Sequence, residues 1–299
     1  MTSIGQRFGT LVRVAVVGLV AVGAGGSFAT AAATTRPAQT TEAAETLRIL
    51  VTNDDGVGAP GIAAVVNALQ ALPDVEVTVI APATNQSGTG INLTSGPLTV
   101  APAVTSSGDA ATAVSGTPSD TVLYGVLAAM PEPPHVVVSG INQGQNLGNI
   151  TEISGTVGAG RTANRLGIPA IALSQGFAPT IKYGTAAIAA NLWVAGLRDL
   201  YLDESRPART LNLNIPSCPA GLSTRGLLVL PLGRSSDVVG YSLQSGSVGN
   251  GTFNPTISSK NPVATSDCAS TAVGFDNDID AFNNGYITAT VVNPDLSDR

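Results

Sequence analysis

An apolar run that ends abruptly in acidic residues constrains the fold of this chain more than any other feature. Leu47–Thr52 has the composition of a short buried strand, and Asn53, Asp54, Asp55 and Gly56 follow it at once. Two adjacent carboxylates at the end of a buried strand repel each other and are costly to remove from water. Because a divalent cation would relieve both costs, this segment predicts a metal site at the mouth of an α/β sheet.

Strand and helix patterns alternate from residue 46 to about residue 175. Strands are predicted at Leu47–Thr52, Val75–Ala81, Val136–Ser139 and Ala170–Ser174, and helices at Gly61–Leu72 after Pro60, Ser119–Met130 with Ser119 as its N-cap, and Thr156–Leu166. This alternation predicts an α/β fold of the Rossmann-like, three-layer α/β/α type, with a mostly parallel sheet and right-handed crossovers.

The pattern changes beyond residue 182. A helix at Thr185–Leu200 and strands at Thr210–Ile215, Gly226–Leu230 and Gly285–Val292 are predicted. Residues 233–272 are rich in Gly, Ser, Asn and Pro, which predicts irregular structure. The domain at 46–299 therefore divides into a core at about 46–216 and a C-terminal extension of strands and irregular loops at about 217–299.

The N-terminus has the pattern of a secretory signal peptide. Arg7 and Arg13 precede the uncharged apolar stretch Val14–Gly23, and small residues that fit an A-x-A cleavage site follow. This predicts a signal peptide at 1–33, a flexible linker at 34–45 and a secreted or extracytoplasmic protein without a stable membrane span. The alternative is an uncleaved membrane anchor, although the run is short for a span of ~20 residues.

The charge balance excludes one class of partner. The chain of 299 residues carries a formal net charge of −6, and removal of residues 1–33 takes away two arginines and no acid. A chain this acidic has no basic stripe for a nucleic-acid backbone, so no nucleic-acid duplex is expected as a partner. Small phosphorylated substrates stay compatible with this charge if a metal neutralises them locally.

The two cysteines, Cys218 and Cys268, predict a disulfide if the protein is exported. The alternative is two buried thiols. The sequence has no CxxC motif and no Cys/His cluster, which argues against a structural zinc site.

Two kinds of enzyme site are disfavoured by the sequence. The single histidine, His135, lies between prolines and a valine run, which favours a strand-entry residue over a catalyst, and no G-x-S-x-G elbow occurs. A Ser-His-Asp hydrolase is therefore hard to build, and water activation would fall to a metal or a carboxylate. The glycine pattern at Gly158–Ala163 superficially matches a dinucleotide fingerprint, but it lies inside a predicted helix, so we reject it.

Polar loops follow the predicted strands at the edge where ligands of parallel sheets bind. Ala81–Gly90 and Ser139–Gly148 are crowded with hydroxyl and amide groups, and Ser154–Val157 opens a helix. Glycines there let the backbone approach a ligand, and the free N–H groups of a helix start favour an anion.

In these residues the chain resembles the SurE-type survival-protein nucleotidases, which are metal-dependent phosphatases of nucleoside monophosphates. The likeness covers about residues 47–216 and resumes at 276–292. The segments that carry it are Asn53–Gly56, Ala59–Gly61, Asn85–Gly88, Gly116–Asp120, Ser139–Asn142, Asn146–Gly148, Ser154–Val157, Leu211–Pro216, Asp278–Asp280 and Gly285–Ile287.

The resemblance implies a site and a reaction. One divalent metal ion, Mg²⁺ or Mn²⁺, would be held by the oxygen ligands Asp54, Asp55, Ser87 and Asn142. Phosphate would be bound by Asn53, Asn146, Ser154, Gly155 and Thr156, and the catalytic residues would be Asp54, Asp55 and Asn146. The expected activity is hydrolysis of nucleoside 5′- or 3′-monophosphates, with possible breadth toward other phosphate esters, by a homo-oligomer (dimer or tetramer).

Some positions depart from the family pattern. Residues 149–153 replace the usual acidic residues and tyrosine before Ser154, Thr162 stands where an acidic residue is frequent, and residues 233–272 do not follow the usual arm. Two alternative functions are a noncatalytic metal- or nucleotide-binding protein with the same site, and an extracellular esterase for another class of ester.

Overall fold

The computed structural model of the chain describes residues 45–203, 205–234, 238–257 and 264–295. The predicted signal peptide at 1–33 and nearly all of the predicted linker lie outside the described residues. Within these ranges, no helix combines the length and the apolar character that a membrane crossing needs.

The first part of the domain follows the predicted alternation. Its elements are β1 (Leu47–Thr52), α1 (Pro60–Gln70), β2 (Val75–Pro82), β3 (Val100–Val104), β4 (Ala110–Val114), α2 (Pro118–Tyr124) with a short π-helix (Gly125–Ala129), β5 (Val136–Gln143), α3 (Ile150–Ile153), α4 (Gly155–Arg165) and β6 (Ala170–Gln175). The hairpin β3–β4 is absent from the sequence-based prediction.

The second part contains α5 (Gly184–Gly196), α6 (Arg198–Leu202), β7 (Thr210–Ile215), β8 (Leu227–Val229), β9 (Val238–Ser247), β10 (Asn250–Ile257), α7 (Asp278–Asn283) and β11 (Ile287–Val292). The prediction of irregular structure at 233–272 was wrong in one respect, because β9 and β10 pair as an antiparallel hairpin there. Its exposed Ser- and Gly-rich strands have no apolar alternation that would have indicated them.

The described strands form a nine-stranded sheet in the order β3-β4-β2-β1-β5-β6-β7-β11-β8, with β9 and β10 apart from it. β1 pairs in parallel with both β2 and β5, and β6 and β7 continue the parallel arrangement. β11 is antiparallel to β7, and β3 is antiparallel to β4. The mostly parallel sheet is confirmed.

Side chains of β1 alternate between two helical layers. Ile49 and Val51 share a buried cluster with Ile62 of α1 and with α5. Leu50 belongs to a second cluster with Val122 of α2 and with α4. Because both faces of the sheet are covered by helices, the three-layer α/β/α architecture is confirmed, and the strand ends carry the polar residues.

The first residues of α1 and α2 test the predicted helix starts. Pro60 occupies the first turn of α1 as predicted. The predicted N-cap Ser119 was wrong, because Thr117 caps α2 and forms a reciprocal capping box with Asp120. Pro118 then takes the first helical position, where its missing N–H costs nothing.

The predicted disulfide between Cys218 and Cys268 is present. It joins the segment that follows β7 to the segment that precedes α7, 50 residues apart in sequence. His135 immediately precedes β5, where its Nδ1 accepts a hydrogen bond of 3.0 Å from the Arg48 N–H. Its interpretation as a strand-entry residue is therefore confirmed, and burial lowers the pKa of its imidazole.

Candidate metal and phosphate site

The site lies where β1, β2 and β5 end side by side. Asn53 follows β1 directly and is fully buried, and its side-chain amide closes the turn on Gly56. Its Nδ2 donates to the Gly56 carbonyl at 2.9 Å, and its Oδ1 accepts from the Gly56 N–H at 3.2 Å. These two bonds fix the backbone turn that carries Asp54 and Asp55.

Asp54 is the more deeply buried of the two carboxylates, with 3% of its surface exposed. Burial, and then the negative charge of Asp55, raise the pKa of Asp54 to about 6. The Thr156 hydroxyl opposes this shift by donating to Asp54 Oδ1 at 2.7 Å. The Gln86 N–H donates to the Asp54 carbonyl at 2.7 Å, which holds the loop after β2 against the end of β1.

Asp55 is half-buried, and burial also raises the pKa of its carboxyl group. Oδ2 accepts a 2.9 Å hydrogen bond from the Gln143 N–H, and Oδ1 accepts a longer one, 3.4 Å, from Asn85 Nδ2. The Asp55 carboxylate therefore contacts both the last residue of β5 and the loop after β2.

Ser87 lies in the loop after β2, and Asn142 lies near the end of β5. The Ser87 N–H donates to Asn85 Oδ1 at 2.9 Å, one residue beyond the Gln86 contact with Asp54, and the Ser87 side chain is exposed. Asn142 is 8% exposed, and its Nδ2 donates to the Gly144 carbonyl at 2.6 Å, so its Oδ1 is the atom suited to a cation. In the part of the chain that the structure describes, neither side chain forms a hydrogen bond with the Asp54 or Asp55 carboxylate.

The donor set fits a hard divalent cation. Two adjacent carboxylates whose pKa values are raised by burial would be relieved of their repulsion by positive charge. The other two predicted ligands, Ser87 and Asn142, carry a hydroxyl and an amide oxygen, and oxygen is the ligand atom that Mg²⁺, Mn²⁺ and Ca²⁺ prefer. Among the described residues, no three or more His, Cys, Asp or Glu side chains are grouped so that they could hold a metal ion together.

The start of α4 packs directly against Asp54. Ser154 is the N-cap, and its hydroxyl accepts from the Val157 N–H at 3.2 Å. A Cβ atom on Gly155 would lie 2.8 Å from the Asp54 Cβ, so only glycine permits this approach. The N-terminal end of α4 therefore faces the Asp54 carboxylate, and the partial positive charge at a helix start favours such an anion. Gly158 lies inside α4, which agrees with rejecting the dinucleotide motif.

Asn146 is held rigidly beside the helix start. Its Nδ2 donates to Ser174 Oγ at 2.9 Å and contacts Thr156 Oγ1 at 3.3 Å. Its main-chain N–H donates to Asn214 Oδ1 at 2.7 Å, and Asn212 and Asn214 both donate to its carbonyl. Asn146 is 5% exposed, so its side-chain amide is held in a fixed position. The amide contacts Thr156, and the Thr156 hydroxyl in turn donates to Asp54.

One residue of the site was not predicted from the sequence. Tyr183, just before α5, is half-buried, and burial followed by the charge of Asp55 raises the pKa of its phenol. Its ring edge would lie 3.2 Å from a Cβ on Gly61 at the start of α1. In the sequence, Tyr183 is simply an aromatic residue before a predicted helix. That position does not indicate that Tyr183 lies near Asp55 and Gly61.

Comparison with known proteins gives consistent matches. The family model described as "Survival protein SurE" matches residues 49–236. A "5'/3'-nucleotidase SurE" of Salmonella paratyphi A is 36% identical over 252 residues, which cover 84% of this chain and 92% of that protein. A "5'-nucleotidase SurE" of Methanopyrus kandleri is 49% identical over 129 residues, and there this chain spans only 49% of the relative's length.

A solved structure agrees with these matches. The crystal structure of the SurE protein from Aquifex aeolicus superposes with a TM-score of 0.65 at 29% identity, and it covers 84% of this chain and 94% of its own. The similarity therefore extends beyond the core at 46–216.

Proposed function

Because the chain belongs to the SurE family of survival proteins, we propose that it hydrolyses nucleoside 5′- or 3′-monophosphates to nucleoside and phosphate in a metal-dependent reaction. The observation that carries this proposal is the buried Asp54 carboxylate, placed between Asp55 and the N-terminal end of α4. A site with two acids and a helix start can hold a cation and an anion side by side.

We propose that Asp54, Asp55, Ser87 and Asn142 hold one divalent cation, with Mg²⁺ or Mn²⁺ as the preferred species. When bound, such a cation polarises a phosphoryl group and promotes deprotonation of an attacking water. Thr156 keeps the Asp54 carboxylate oriented through its 2.7 Å hydrogen bond.

The remaining residues would bind and orient the phosphate. The Gly155 and Thr156 N–H groups at the start of α4 and the Asn146 amide supply donors for the phosphoryl oxygens, where charge develops during transfer. Ser154 positions these donors by capping the helix, and Asn53 positions the carboxylates by closing the turn on Gly56. Because these groups are buried and fixed, little reorganisation accompanies the reaction.

The test is an assay of the purified protein with nucleoside 5′- and 3′-monophosphates and Mg²⁺ or Mn²⁺, with and without EDTA. We expect activity that EDTA abolishes and either cation restores, and a loss of at least about 100-fold in kcat/KM for Asp54→Asn. The matched control is Glu76→Gln, which neutralises an exposed carboxylate on β2. Metal binding without turnover would favour the noncatalytic alternative, and activity toward carboxyl esters alone would favour the esterase alternative.

We also propose that the protein is exported and that it assembles as a homo-oligomer. The Cys218–Cys268 disulfide supports export, since disulfides persist in oxidising compartments. Exposed apolar side chains on the β9–β10 hairpin, including Val248 (89% exposed) and Leu243 (47%), support self-association. Intact mass would locate a mature N-terminus near residue 34, and light scattering would count the subunits. A full-length membrane-bound chain or a monomer would contradict the respective proposal.

A further inference from the structure

Asp278, the first residue of α7, carries a fully buried carboxylate that has no part in the proposed reaction. Burial raises the pKa of this carboxyl group. In the described part of the chain, no lysine, arginine or histidine forms an ion pair with it. An apolar residue would avoid the cost of burying a carboxylate without an opposite charge, so the contacts of this side chain are informative.

The two oxygens of Asp278 bind two separate segments of the chain. Oδ2 accepts a 3.0 Å hydrogen bond from the N–H of Gly148, in the loop after β5. Oδ1 accepts a 2.6 Å hydrogen bond from the N–H of Gly233, between β8 and β9. An acid in a first helical turn can be explained by the helix dipole, but the dipole requires neither burial nor partners 130 and 45 residues away.

Apolar contacts join the same three segments. Leu147, Ile279 and Phe282 form a small buried cluster that is separate from the main core. Gly233 lies so close to α7 that a Cβ atom there would be 2.9 Å from Ile279 Cδ1. The loop after β5, α7 and the segment around Gly233 are therefore packed against one another.

This loop also carries Asn146, the proposed phosphate ligand. The Asn214 side chain accepts from the Asn146 N–H and donates to its carbonyl, which also accepts from Asn212. The backbone of residues 146–148 is thus attached to β7 at its first residue and to Asp278 at its last. The position of the Asn146 amide depends on both attachments.

The contacts at residue 278 require a carboxylate. Asparagine has the same shape but only one acceptor oxygen, so its NH₂ group would face the N–H of Gly148 or of Gly233. One hydrogen bond would be lost and one buried N–H would be left without a partner. Asp278→Asn therefore loosens this attachment without opening a cavity.

We propose that Asp278 is a positioning residue for the phosphatase reaction. By fixing Gly148 against α7 and Gly233, it holds the Asn146 amide in line with the start of α4. It acts through Asn146 and touches no reacting atom. This inference rests on the proposed function, and it gives the C-terminal extension a role in the reaction.

A double-mutant cycle tests whether Asp278 acts through Asn146. We expect Asp278→Asn to lower kcat/KM for a nucleoside monophosphate about tenfold, mainly through kcat, because the amide serves oxygens on which charge develops. In the Asn146→Ala background, Asp278→Asn should cause no further loss beyond about twofold. Losses that multiply in the double variant would overturn the proposal.

The control for a general loss of stability is Leu69→Ala, which removes a buried side chain near the end of α1. We expect its kcat and KM to stay within about twofold of the unaltered protein. A tenfold fall in kcat for Leu69→Ala as well would assign the effect of Asp278→Asn to stability and overturn the positioning role.

Calorimetry with inorganic phosphate in the presence of Mg²⁺ separates this proposal from the proposed function, because it needs no turnover. We expect Asp278→Asn to bind phosphate about fivefold more weakly and to bind Mg²⁺ alone within about twofold of the unaltered protein. That result in a protein without phosphatase activity would overturn the reaction and support the attachment. Unchanged phosphate affinity in an active protein would overturn the attachment alone.

Ile279→Ala provides a second test if Asp278→Asn does not fold. It keeps the carboxylate and thins the contact of α7 with Leu147. We expect weaker phosphate binding in the same direction, and no further loss of kcat/KM in the Asn146→Ala background. Unchanged phosphate binding, or losses that multiply, would contradict the proposed attachment.

Discussion

The hydroxyl of Thr156 donates a 2.7 Å hydrogen bond to Oδ1 of Asp54, which joins the first turn of α4 to the end of β1. Burial and the charge of Asp55 disfavour the Asp54 carboxylate anion, whereas this bond favours it. The Thr156 hydroxyl therefore lowers the pKa of Asp54 and favours its ionised form near neutral pH. In this structure the Thr156 hydroxyl is bonded to Asp54, a predicted metal ligand. The predicted contact of Thr156 with phosphate would therefore be made by its main-chain N–H.

Thr156→Val tests this relationship, because valine keeps the shape of the side chain and removes the donor. We expect the pKa of Asp54 in the metal-free protein to rise further above its value of about 6, and the acidic limb of the pH profile of Mg²⁺ or Mn²⁺ affinity to move up by about one pH unit. Thr156→Ser keeps the hydroxyl and should retain the original profile. An unchanged profile in Thr156→Val would show that the bond does not control the ionisation of Asp54.

The raised pKa of Asp54 also predicts how the stability of the metal-free protein depends on pH. Its pKa rises from 3.8 to about 6 on folding, so the protonated form favours the folded state. The resulting stability is fully present below pH 3.8 and is lost as the pH rises through 6. We expect Asp54 to contribute roughly 3 kcal/mol less folding free energy at pH 7 than at pH 4.

Urea unfolding in EDTA at several pH values measures this contribution as the difference between the unaltered protein and Asp54→Asn. Asparagine cannot ionise, so the two pH profiles should diverge above about pH 5. Excess Mg²⁺ or Mn²⁺ should restore stability at pH 7 only where Asp54 is present. Parallel profiles for the two proteins would refute the expected linkage.

The core of the fold was predictable because its signals are local. The apolar run of β1, the proline at the start of α1 and the polar strand ends indicate a parallel sheet and the edge where ligands bind. The helix α4 was predicted to within one residue at each end, although its polar sequence depends on tertiary packing. The placement of Asp54 beside Gly155 followed from the resemblance, and local pattern alone does not give it.

The remaining features depend on contacts between distant residues. The strands of the β3–β4 and β9–β10 hairpins have no regular apolar alternation, so a sequence pattern cannot separate them from loops. Tyr183 lies near Asp55 only because β6 and β1 are two strands apart in the sheet. The capping of α2 by Thr117 was missed because Ser119 two residues later is also a good capping residue.

The disulfide predicts a stability effect that can be measured separately from catalysis. Cys218 and Cys268 close a loop of 50 residues, and loop-closure entropy assigns such a crosslink about 4 kcal/mol. We expect the double variant Cys218→Ala, Cys268→Ala to lose stability of that order in urea unfolding. Reductant should destabilise the unaltered protein similarly and leave the double variant unchanged. Equal stability of all samples would contradict this role.

Gly61 predicts a steric effect next to the site, with Gly58 as its matched control. A methyl group at Gly61 would overlap the carbonyl of Ile141, the residue before Asn142, whereas one at Gly58 would meet nothing within 4 Å. Gly61→Ala should therefore push the start of α1 away from the end of β5 and cost about 1–3 kcal/mol. It should also weaken metal binding, because Asn142 moves with Ile141. Gly58→Ala should be neutral in stability and in metal affinity, and equal behaviour of the two variants would show that this close approach is not needed.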